Sequence, residues 1–336
     1  MQTIVGWMDG VVVANQTGGI ILDPSKKENH GNSYTFISHA HSDHIRGLDS
    51  NRKGYLTCGT KDILVSGNCN KSLENYISLK YGDTVTFDGL EVSVYNSGHI
   101  LGSAQYVIRN DISTIVYTGD LNCREMLTTS AADIIPCDIL ILETTYGNPF
   151  YVFPSLTSIY IEIINWAISE VQKERTPTFI VYSVGKAQEL IKIFNELTSI
   201  PVVVSQSIAR INEAYKKNGI KLKYFNSISD EGNELLKQQC VQVISPSEKM
   251  LASNHSSFAT ATGWALKSKN NGNTSFPLSG HADFDQLMNY VKLAKPKEVL
   301  TIHGFKDYFS RYISNKLGIR SRAIPIIEQN NLKMFL

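Results

Sequence analysis

The chain has 336 residues, of which 42% are hydrophobic and 19% charged, and its formal net charge is +1 with a pI near 7.6. These values are ordinary for a globular protein, and the length predicts one large domain or two moderate ones with a sizeable core. The near-neutral charge gives no indication of a strongly basic nucleic-acid-binding protein, but it leaves room for a local basic groove.

The cysteines and the N-terminal residues bear on the compartment. Five cysteines are widely spaced and form no CxxC pair, which disfavours a disulfide framework or a zinc ribbon. The N-terminal residues lack the features of a signal peptide, and no stretch reaches the ~18 apolar residues of a membrane span. The sequence therefore predicts a soluble, cytoplasmic protein that does not interact with a membrane.

The first third of the chain is rich in predicted strands. Short apolar runs are separated by turn residues, and Asp88-Gly89 and Asn110-Asp111 each predict a hairpin. A fully apolar run then predicts a buried strand. The predicted strands are 10–14, 19–22, 34–38, 84–87, 90–95, 105–109, 113–117 and 139–142.

After residue 149 the pattern changes to alternating helices and strands, which predicts a parallel sheet covered by helices. Ser155 can cap a helix over 155–172 because apolar residues recur there at helical spacing. The segment 225–237 is polar and loop-like or weakly helical, and 267–274 is a polar linker or hairpin tip. Strands are predicted at 179–182, 202–204, 241–244 and 258–261, with helices at 187–197 and 208–217. The C-terminal part predicts a helix at 283–293, a strand at 299–302, a helix at 305–316 and a strand near 324.

Three of the eight histidines fall within six positions, in the segment HAHSDH at 39–44. His39 and His41 are two residues apart, so in an extended segment their side chains point the same way and can bind one ion. Asp43 and His44 lie past a turn and can face a neighbouring position. These donors suit Zn²⁺, and Mn²⁺ or Fe²⁺ less tightly. They are too many for one closed structural site, which favours an open catalytic site with two metal ions.

Further candidate ligands follow predicted strands or open a helix, beside small residues. His99 lies in SGHILG, Asp120 in VYTGD and His303 in LTIHG, and His281 lies in the turn LSGHADF. Two of them have a structural alternative when taken alone: a lone histidine such as His99 is usually structural, and Asp120 can cap a helix or turn.

The segment YSVGKAQ contains a Gly-Lys pair but is not a nucleotide-binding P-loop. Position 180 is isoleucine rather than glycine, and position 187 is alanine rather than serine or threonine. A strand leading to a glycine and a helix start can still bind an anion, so Ser183 and Lys186 are candidate contacts to a backbone phosphate. The alternative is a solvated lysine at a helix start.

The order of these motifs resembles that of metallo-β-lactamase-fold hydrolases. The matching segments are LDP with Asp23, SHAHSDH, SGHILGSAQ and YTGD. LETTYG with Glu143, LSGHADF and TIHG extend the resemblance to the β-CASP branch of nucleic-acid-processing nucleases. YSVGKAQEL, SIARINEAYKKNGI and ATGWAL are most similar to the prokaryotic ligase-associated or Artemis-like exonucleases, also called mRNA 3′-end processing factors.

The resemblance implies an α/β fold, a metallo-β-lactamase αββα sandwich with an inserted α/β β-CASP domain. The metallo-β-lactamase domain would comprise 1–147 and 276–336, and the β-CASP domain 148–275.

The resemblance also assigns roles to the candidate residues. His39, His41 and His99 would bind one metal ion, and Asp43, His44 and His303 the second, with Asp120 bridging them. Asp23 and Glu143 would orient ligand imidazoles, and His281 would stabilise the phosphate or protonate the leaving oxygen. The catalytic group would be Asp43, Asp120 and His281. His303 stands where the eukaryotic Artemis-like proteins typically have valine, which supports a fuller two-metal site.

The implied function is that of a nucleic-acid phosphodiesterase using a hydroxide activated by two divalent metal ions, with Zn²⁺ favoured and Mn²⁺ as the alternative. We expect a DNA exonuclease in repair or processing, whose substrate is single-stranded or end-bearing DNA. The alternative is an RNA-processing ribonuclease, exo- or endonucleolytic, of the same fold. A small-molecule ester hydrolase and an inactive nucleic-acid-binding subunit are the remaining alternatives. Repair or processing proteins would be the partner class, and the sequence does not set the oligomeric state.

Overall fold

The computed structural model describes residues 3–16, 18–27, 34–48, 53–69, 73–252, 254–267 and 274–327. It divides into two compact units. The first comprises Met1–Arg124, Ala131–Phe150 and His281–Leu336, and the second comprises Glu125–Ser130 and Tyr151–Gly280. The predicted linker at 267–274 lies almost wholly outside the described residues. The assignment of 1–147 with 276–336 and of 148–275 to two named domains stays a prediction.

Strands and helices are numbered in chain order. The strands are β1 (Ile4–Trp7), β2 (Val11–Ala14), β3 (Gly19–Leu22), β4 (Tyr34–Phe36), β5 (Gly54–Thr57), β6 (Tyr76–Leu79), β7 (Thr84–Phe87), β8 (Leu90–Asn96), β9 (Ala104–Arg109), β10 (Thr114–Tyr117), β11 (Ile139–Glu143), β12 (Thr176–Ile180), β13 (Val202–Val204), β14 (Phe225–Asn226), β15 (Val241–Ile244), β16 (Ser256–Ala261), β17 (Thr274–Phe276), β18 (Glu298–Ile302) and β19 (Arg320–Ala323). The helices are α1 (Cys58–Ser66), α2 (Leu156–Gln172), α3 (Lys186–Leu197), α4 (Gln206–Lys217), α5 (Asp230–Leu235), α6 (Phe284–Ala294) and α7 (Lys306–Leu317).

The first unit contains two sheets. One has the order β1-β2-β3-β4-β5-β6, and the other has the order β19-β18-β11-β10-β9-β8-β7. The predicted hairpins at Asp88-Gly89 and Asn110-Asp111 are confirmed, because β7 pairs with β8 and β9 with β10 in antiparallel register. β10, β11, β18 and β19 are parallel, so their C-terminal ends lie at one edge of the sheet.

The two sheets of this unit pack face to face over a common core. Side chains alternate along each strand: Val11 and Val13 enter this core, whereas Val12 faces the other side of its sheet. The opposite face of the second sheet packs on α6 and α7 through Leu287, Val291 and other apolar residues. Burying each large aliphatic side chain contributes about 1.5–3 kcal/mol, so the layers are held mainly by the hydrophobic effect. This arrangement confirms the predicted metallo-β-lactamase sandwich.

The second unit is built on a parallel sheet with the order β14-β13-β15-β12-β16-β17, as the alternating sequence pattern predicted. Helix α2 begins after Ser155, whose hydroxyl accepts a hydrogen bond from the Ser158 amide, which confirms the predicted cap. The strand predicted at 179–182 instead runs from Thr176 to Ile180. Pro177 is tolerated because pairing with β15 begins only at Thr178, so no ladder bond is lost on that side.

Four elements of the first unit, β1, β5, α1 and β6, were not predicted, whereas the C-terminal elements α6, β18 and α7 lie where the sequence predicted them. In the second unit, the polar segment 225–237 forms the short β14 and α5. Across the described ranges, every helix is too short or too polar to cross a membrane.

Candidate metal centre

The candidate ligands lie just after strand ends of the first unit. The HAHSDH segment follows β4, His99 follows β8 and Asp120 follows β10. Glu143 is the last residue of β11, and His303 follows β18. Because β10, β11 and β18 are neighbouring parallel strands, their C-terminal ends place three of these residues along one edge, where open α/β sheets bind ligands.

A first group of donors converges closely. His41 Nδ1 lies 3.1 Å from His39 Nε2 and 3.1 Å from His99 Nε2. Asp120 Oδ2 lies 3.4 Å from His39 Nε2 and 3.6 Å from His99 Nε2. Four donor atoms lie within 4.8 Å of one another, one each from His39, His41, His99 and Asp120.

A second, more open group lies on the other side of Asp120. His44 Nε2 is 3.5 Å from Asp120 Oδ1 and 3.6 Å from Asp43 Oδ2. The His303 ring centroid lies 5.8 Å from that of His44. His303 has a φ of 57°, a left-handed conformation that non-glycine residues rarely adopt outside special sites. Asp120 therefore presents one oxygen to each group.

Asp23 fixes the orientation of the His44 ring through its Nδ1 atom. Its Oδ2 accepts from His44 Nδ1 at 2.7 Å, which directs Nε2 toward Asp120 and Asp43. The Ser38 amide and the Tyr117 hydroxyl also donate to Asp23, at 2.6 and 2.8 Å. Sequence reasoning found Asp23 but missed Ser38 and Tyr117, although both belong to motifs already identified, SHAHSDH and YTGD.

Glu143 and His281 form a second carboxylate–imidazole pair. Glu143 Oε1 lies 3.0 Å from His281 Nδ1, and His281 Nε2 lies 3.9 Å from Asp120 Oδ2. The buried Glu143 carboxylate also accepts from the amides of Leu121 and Thr145. Donor atoms of Asp120, Glu143 and His281 lie within 4.8 Å of one another, so this trio is also a possible metal-binding group by distance.

The loop that carries His281 is joined to the loop that carries Asp120. The Ala282 amide donates to the Leu121 carbonyl, and Arg124 Nη2 pairs with Asp283 Oδ2 at 2.8 Å. Asp283 also caps α6 by accepting from the Gln286 amide. These contacts, which the sequence did not reveal, hold His281 close to Asp120.

The loop that carries His99 is supported by a close backbone approach. Gly102 has a φ of 76°, and a Cβ on Gly59 of α1 would lie 2.8 Å from the Gly102 Cα. The hydroxyls of Thr57 and Thr60 both donate to the Gly102 carbonyl. The start of α1 therefore rests directly on this loop.

The charge state of the imidazoles follows from these surroundings. Burial, with the neighbouring imidazoles of His44 and His41, lowers the pKa of His39 well below its usual value. Burial alone would lower the pKa of His44, but the carboxylates of Asp120 and Asp23 raise it to about 10. Burial likewise opposes ionisation of Glu143, yet His281 and the Thr145 amide keep the pKa of Glu143 below its usual value.

The donor set fits a divalent transition-metal ion. It consists of imidazole nitrogens and carboxylate oxygens, the ligands that Zn²⁺ and Mn²⁺ take in open catalytic sites. His39, His44, His99 and Asp120 are buried, so a cation held by them would be largely shielded from solvent. The two candidate phosphate contacts, Ser183 and Lys186, belong to the second unit, where Lys186 is the first residue of α3. Their role stays a prediction.

Facing sheets flanked by helices, with clustered histidines and aspartates at strand ends, define a metal-dependent hydrolase. Two family models match this chain: the Beta-lactamase superfamily domain over residues 16–168, and the Zn-dependent metallo-hydrolase RNA specificity domain over residues 272–325. The chain belongs to the metallo-β-lactamase β-CASP family of nucleases.

Individual relatives support this membership. The chain is 28% identical to a probable DNA ligase of Opitutus terrae over 89% of its own length, but it spans only 29% of that ligase. It is 27% identical to RNase aCSPSF2 of Saccharolobus solfataricus, over 88% of this chain and 76% of that protein. A crystal structure of a protein of unknown function from Enterococcus faecalis V583 matches with a TM-score of 0.69 at 18% identity, covering 96% of this chain and 98% of that one. This last likeness shows the fold.

Proposed function

We propose that this protein is a metal-dependent nucleic-acid phosphodiesterase, acting as a DNA exonuclease in repair or processing. One observation carries the proposal: the metal-donor groups and the Glu143–His281 pair all meet at Asp120. We further propose that the first unit is the metallo-β-lactamase domain and that the second is the inserted β-CASP domain.

The residues suggest how two zinc ions would be held. His39, His41 and His99 would bind one ion, Asp43, His44 and His303 the other, and Asp120 would bridge them through its two oxygens. When bound, such ions polarise phosphoryl oxygens and lower the pKa of bound water. Asp23 keeps His44 Nδ1 engaged, so that only Nε2 remains for coordination.

His281 supplies the chemistry at the leaving group. Glu143 accepts a hydrogen bond from its Nδ1 and stabilises the protonated imidazole. Nε2 then faces the space beside Asp120 and can donate a proton to the departing oxygen of a phosphodiester.

The relatives bear on the choice of nucleic acid. The match to a probable DNA ligase over most of this chain supports DNA as the substrate. The second candidate function is RNA processing, supported by the match to RNase aCSPSF2 and by the family model described as an RNA specificity domain.

The test is hydrolysis of end-labelled nucleic acids by the purified full chain with Zn²⁺ or Mn²⁺. Single- and double-stranded DNA and RNA, each labelled at either end, give the substrate class and the polarity of degradation. Mononucleotide release from single-stranded DNA, lost in His281→Ala, is the expected result. Release from RNA alone would replace DNA by the second candidate. Absence of hydrolysis from every substrate with both ions would refute the phosphodiesterase.

A further inference from the structure

Two exposed aromatic rings lie at the C-terminal edge of the parallel sheet in the second unit. Tyr182 follows β12 and is 70% exposed, and Trp264 lies just after β16 and is 45% exposed. Single exposed apolar side chains are common on protein surfaces and need no explanation. Here two exposed rings follow adjacent strands, and such a pair does call for an explanation.

The two rings follow neighbouring strands of the sheet. β12 and β16 are parallel neighbours, with Phe179 opposite Ala259. Tyr182 follows Phe179 by three residues, and Thr262, which caps the short 3-10 turn Gly263–Leu266, follows Ala259 by three residues. Neighbouring strands are about 4.8 Å apart, so Tyr182 and Trp264 rise from adjoining stretches of backbone.

The Trp264 ring is supported by a buried aromatic side chain. Tyr151, which is 1% exposed, contacts it edge-to-face with ring centroids 5.2 Å apart. The Lys267 ammonium lies 5.1 Å from the Tyr151 centroid. A tryptophan in this setting is held in position although much of its surface is open to solvent. The N-terminus of α3, with Lys186, follows Tyr182 by a few residues and adds positive charge at the same edge.

We propose that Tyr182 and Trp264 form a base-stacking platform for single-stranded nucleic acid, with Lys267 and Lys186 near the phosphate backbone. Exposed rings combined with nearby cations are the means by which proteins bind single strands without sequence preference. A duplex offers no free base face in its interior, so the occupant is a strand with unpaired bases. The inference rests on the proposed function, and it specifies the form of that substrate.

Fluorescence anisotropy on the full-length chain tests the platform. The probes are fluorescein-labelled oligo-dT and oligo-U, with a blunt DNA duplex as a third ligand, in EDTA so that nothing is cleaved. Trp264→Ala should weaken single-strand binding about 5- to 100-fold, since base–aromatic stacking contributes about 1–3 kcal/mol per base. Trp264→Phe keeps a ring and should bind within about threefold of the unaltered protein, because the π-face remains.

Phe225→Ala is the matched control, because Phe225 is a 39% exposed aromatic residue on the outer strand β14 of the same sheet. It should leave binding unchanged. Lys267→Gln should reduce the slope of log affinity against log salt by about 0.7, whereas Trp264→Ala should not alter that slope. Equal weakening by Phe225→Ala and Trp264→Ala would overturn the platform, as would Trp264→Ala binding within twofold of the unaltered protein. Comparison of oligo-dT with oligo-U shows which nucleic acid is preferred.

Tryptophan fluorescence gives an independent measurement. The chain has three tryptophans, so Trp7→Phe with Trp166→Phe leaves Trp264 as the only tryptophan, which is excited selectively at wavelengths that tyrosine does not absorb. Stacked bases should quench its emission in proportion to binding, and unquenched emission at saturation would overturn the proposal.

Hydrolysis of bis(p-nitrophenyl) phosphate with Zn²⁺ separates the stacking platform from the proposed phosphodiesterase function. Single-strand binding through Trp264 without any phosphodiester hydrolysis refutes the proposed function alone, and hydrolysis with normal binding by Trp264→Ala refutes the platform alone.

Discussion

Glu143→Gln is the most informative single substitution, because it removes a charge from a fully buried position without changing its size. The carboxylate accepts from the Thr145 amide at 2.7 Å, from the Leu121 amide at 3.2 Å and from His281 Nδ1 at 3.0 Å. A glutamine has one acceptor oxygen, so at least one of these donors must face an N–H group. The unsatisfied buried donor should cost about 1–3 kcal/mol of unfolding free energy.

The larger effect should appear in the rate. The protonated imidazole of His281 loses a charge-assisted hydrogen bond, which should move the alkaline limb of the pH–rate profile to lower pH. General acid catalysis contributes about 10²–10⁴-fold, so a loss of roughly 100-fold is expected for an oligonucleotide near neutral pH.

A change of leaving group isolates this effect. A nucleoside p-nitrophenyl phosphate releases nitrophenolate without a proton, so Glu143→Gln should slow its hydrolysis less than about fivefold, because the general acid contributes little there. His281→Ala should show the same contrast between the two substrates. Bound zinc, measured by mass spectrometry, should be unchanged. Equal losses on both substrates, or the disappearance of one ion, would refute the role of Glu143 as the residue that orients His281, and the second result would make it a ligand.

Four further outcomes follow from the same geometry. Asp120→Asn should abolish hydrolysis while leaving the circular dichroism spectrum unchanged. Full activity in this variant would refute the assignment of Asp120 as a metal ligand. Asp23→Asn should lower metal affinity about 10- to 100-fold, as measured by chelator competition, because a neutral amide with one acceptor oxygen holds His44 Nδ1 less strongly than the carboxylate does. His44 must lose a proton to coordinate, and its pKa is raised to about 10 in the metal-free protein. Metal affinity at this position should therefore increase with pH up to that value, about tenfold per unit, with proton release seen by calorimetry in different buffers. The Glu189 carboxylate accepts from two backbone amides of the segment 125–130, so Glu189→Gln should weaken the attachment of that segment. Proteolysis within 125–130 should then be faster, whereas the leaving-group preference of the hydrolysis should not change.

The sequence pointed to the candidate metal ligands more completely than to the residues that support them. Ligand residues carry their own signal, because histidines and aspartates after apolar runs are uncommon and chemically specific. Arg124 carries none, since an arginine in a loop is ordinary until its partner Asp283 is located in space. Tyr117 lies inside YTGD, but that motif does not show that the Tyr117 hydroxyl donates to Asp23. These contacts join residues far apart in the chain, and no periodicity encodes them.

The missed helix α1 has a related explanation. It spans nine residues and contains Gly59 near its start, and a glycine inside a helix costs about 1 kcal/mol relative to alanine. Local propensity therefore argues against a helix there. The helix forms because tertiary packing overrides propensity, with Ile63 and Leu64 buried and Thr57 capping its first turn.

The approach of Gly59 to Gly102 also limits how this protein can change over evolutionary time. Most ligand loops are separated from their support by side chains, which can be exchanged one at a time. Here the two backbones touch, so even an added methyl group at either position would collide with main-chain atoms. The position of His99 can therefore be altered only by coordinated changes that move helix and loop together. Laboratory evolution for a different metal or a larger substrate should accordingly accumulate substitutions around His303 and Asp43 before it alters the side that carries His99.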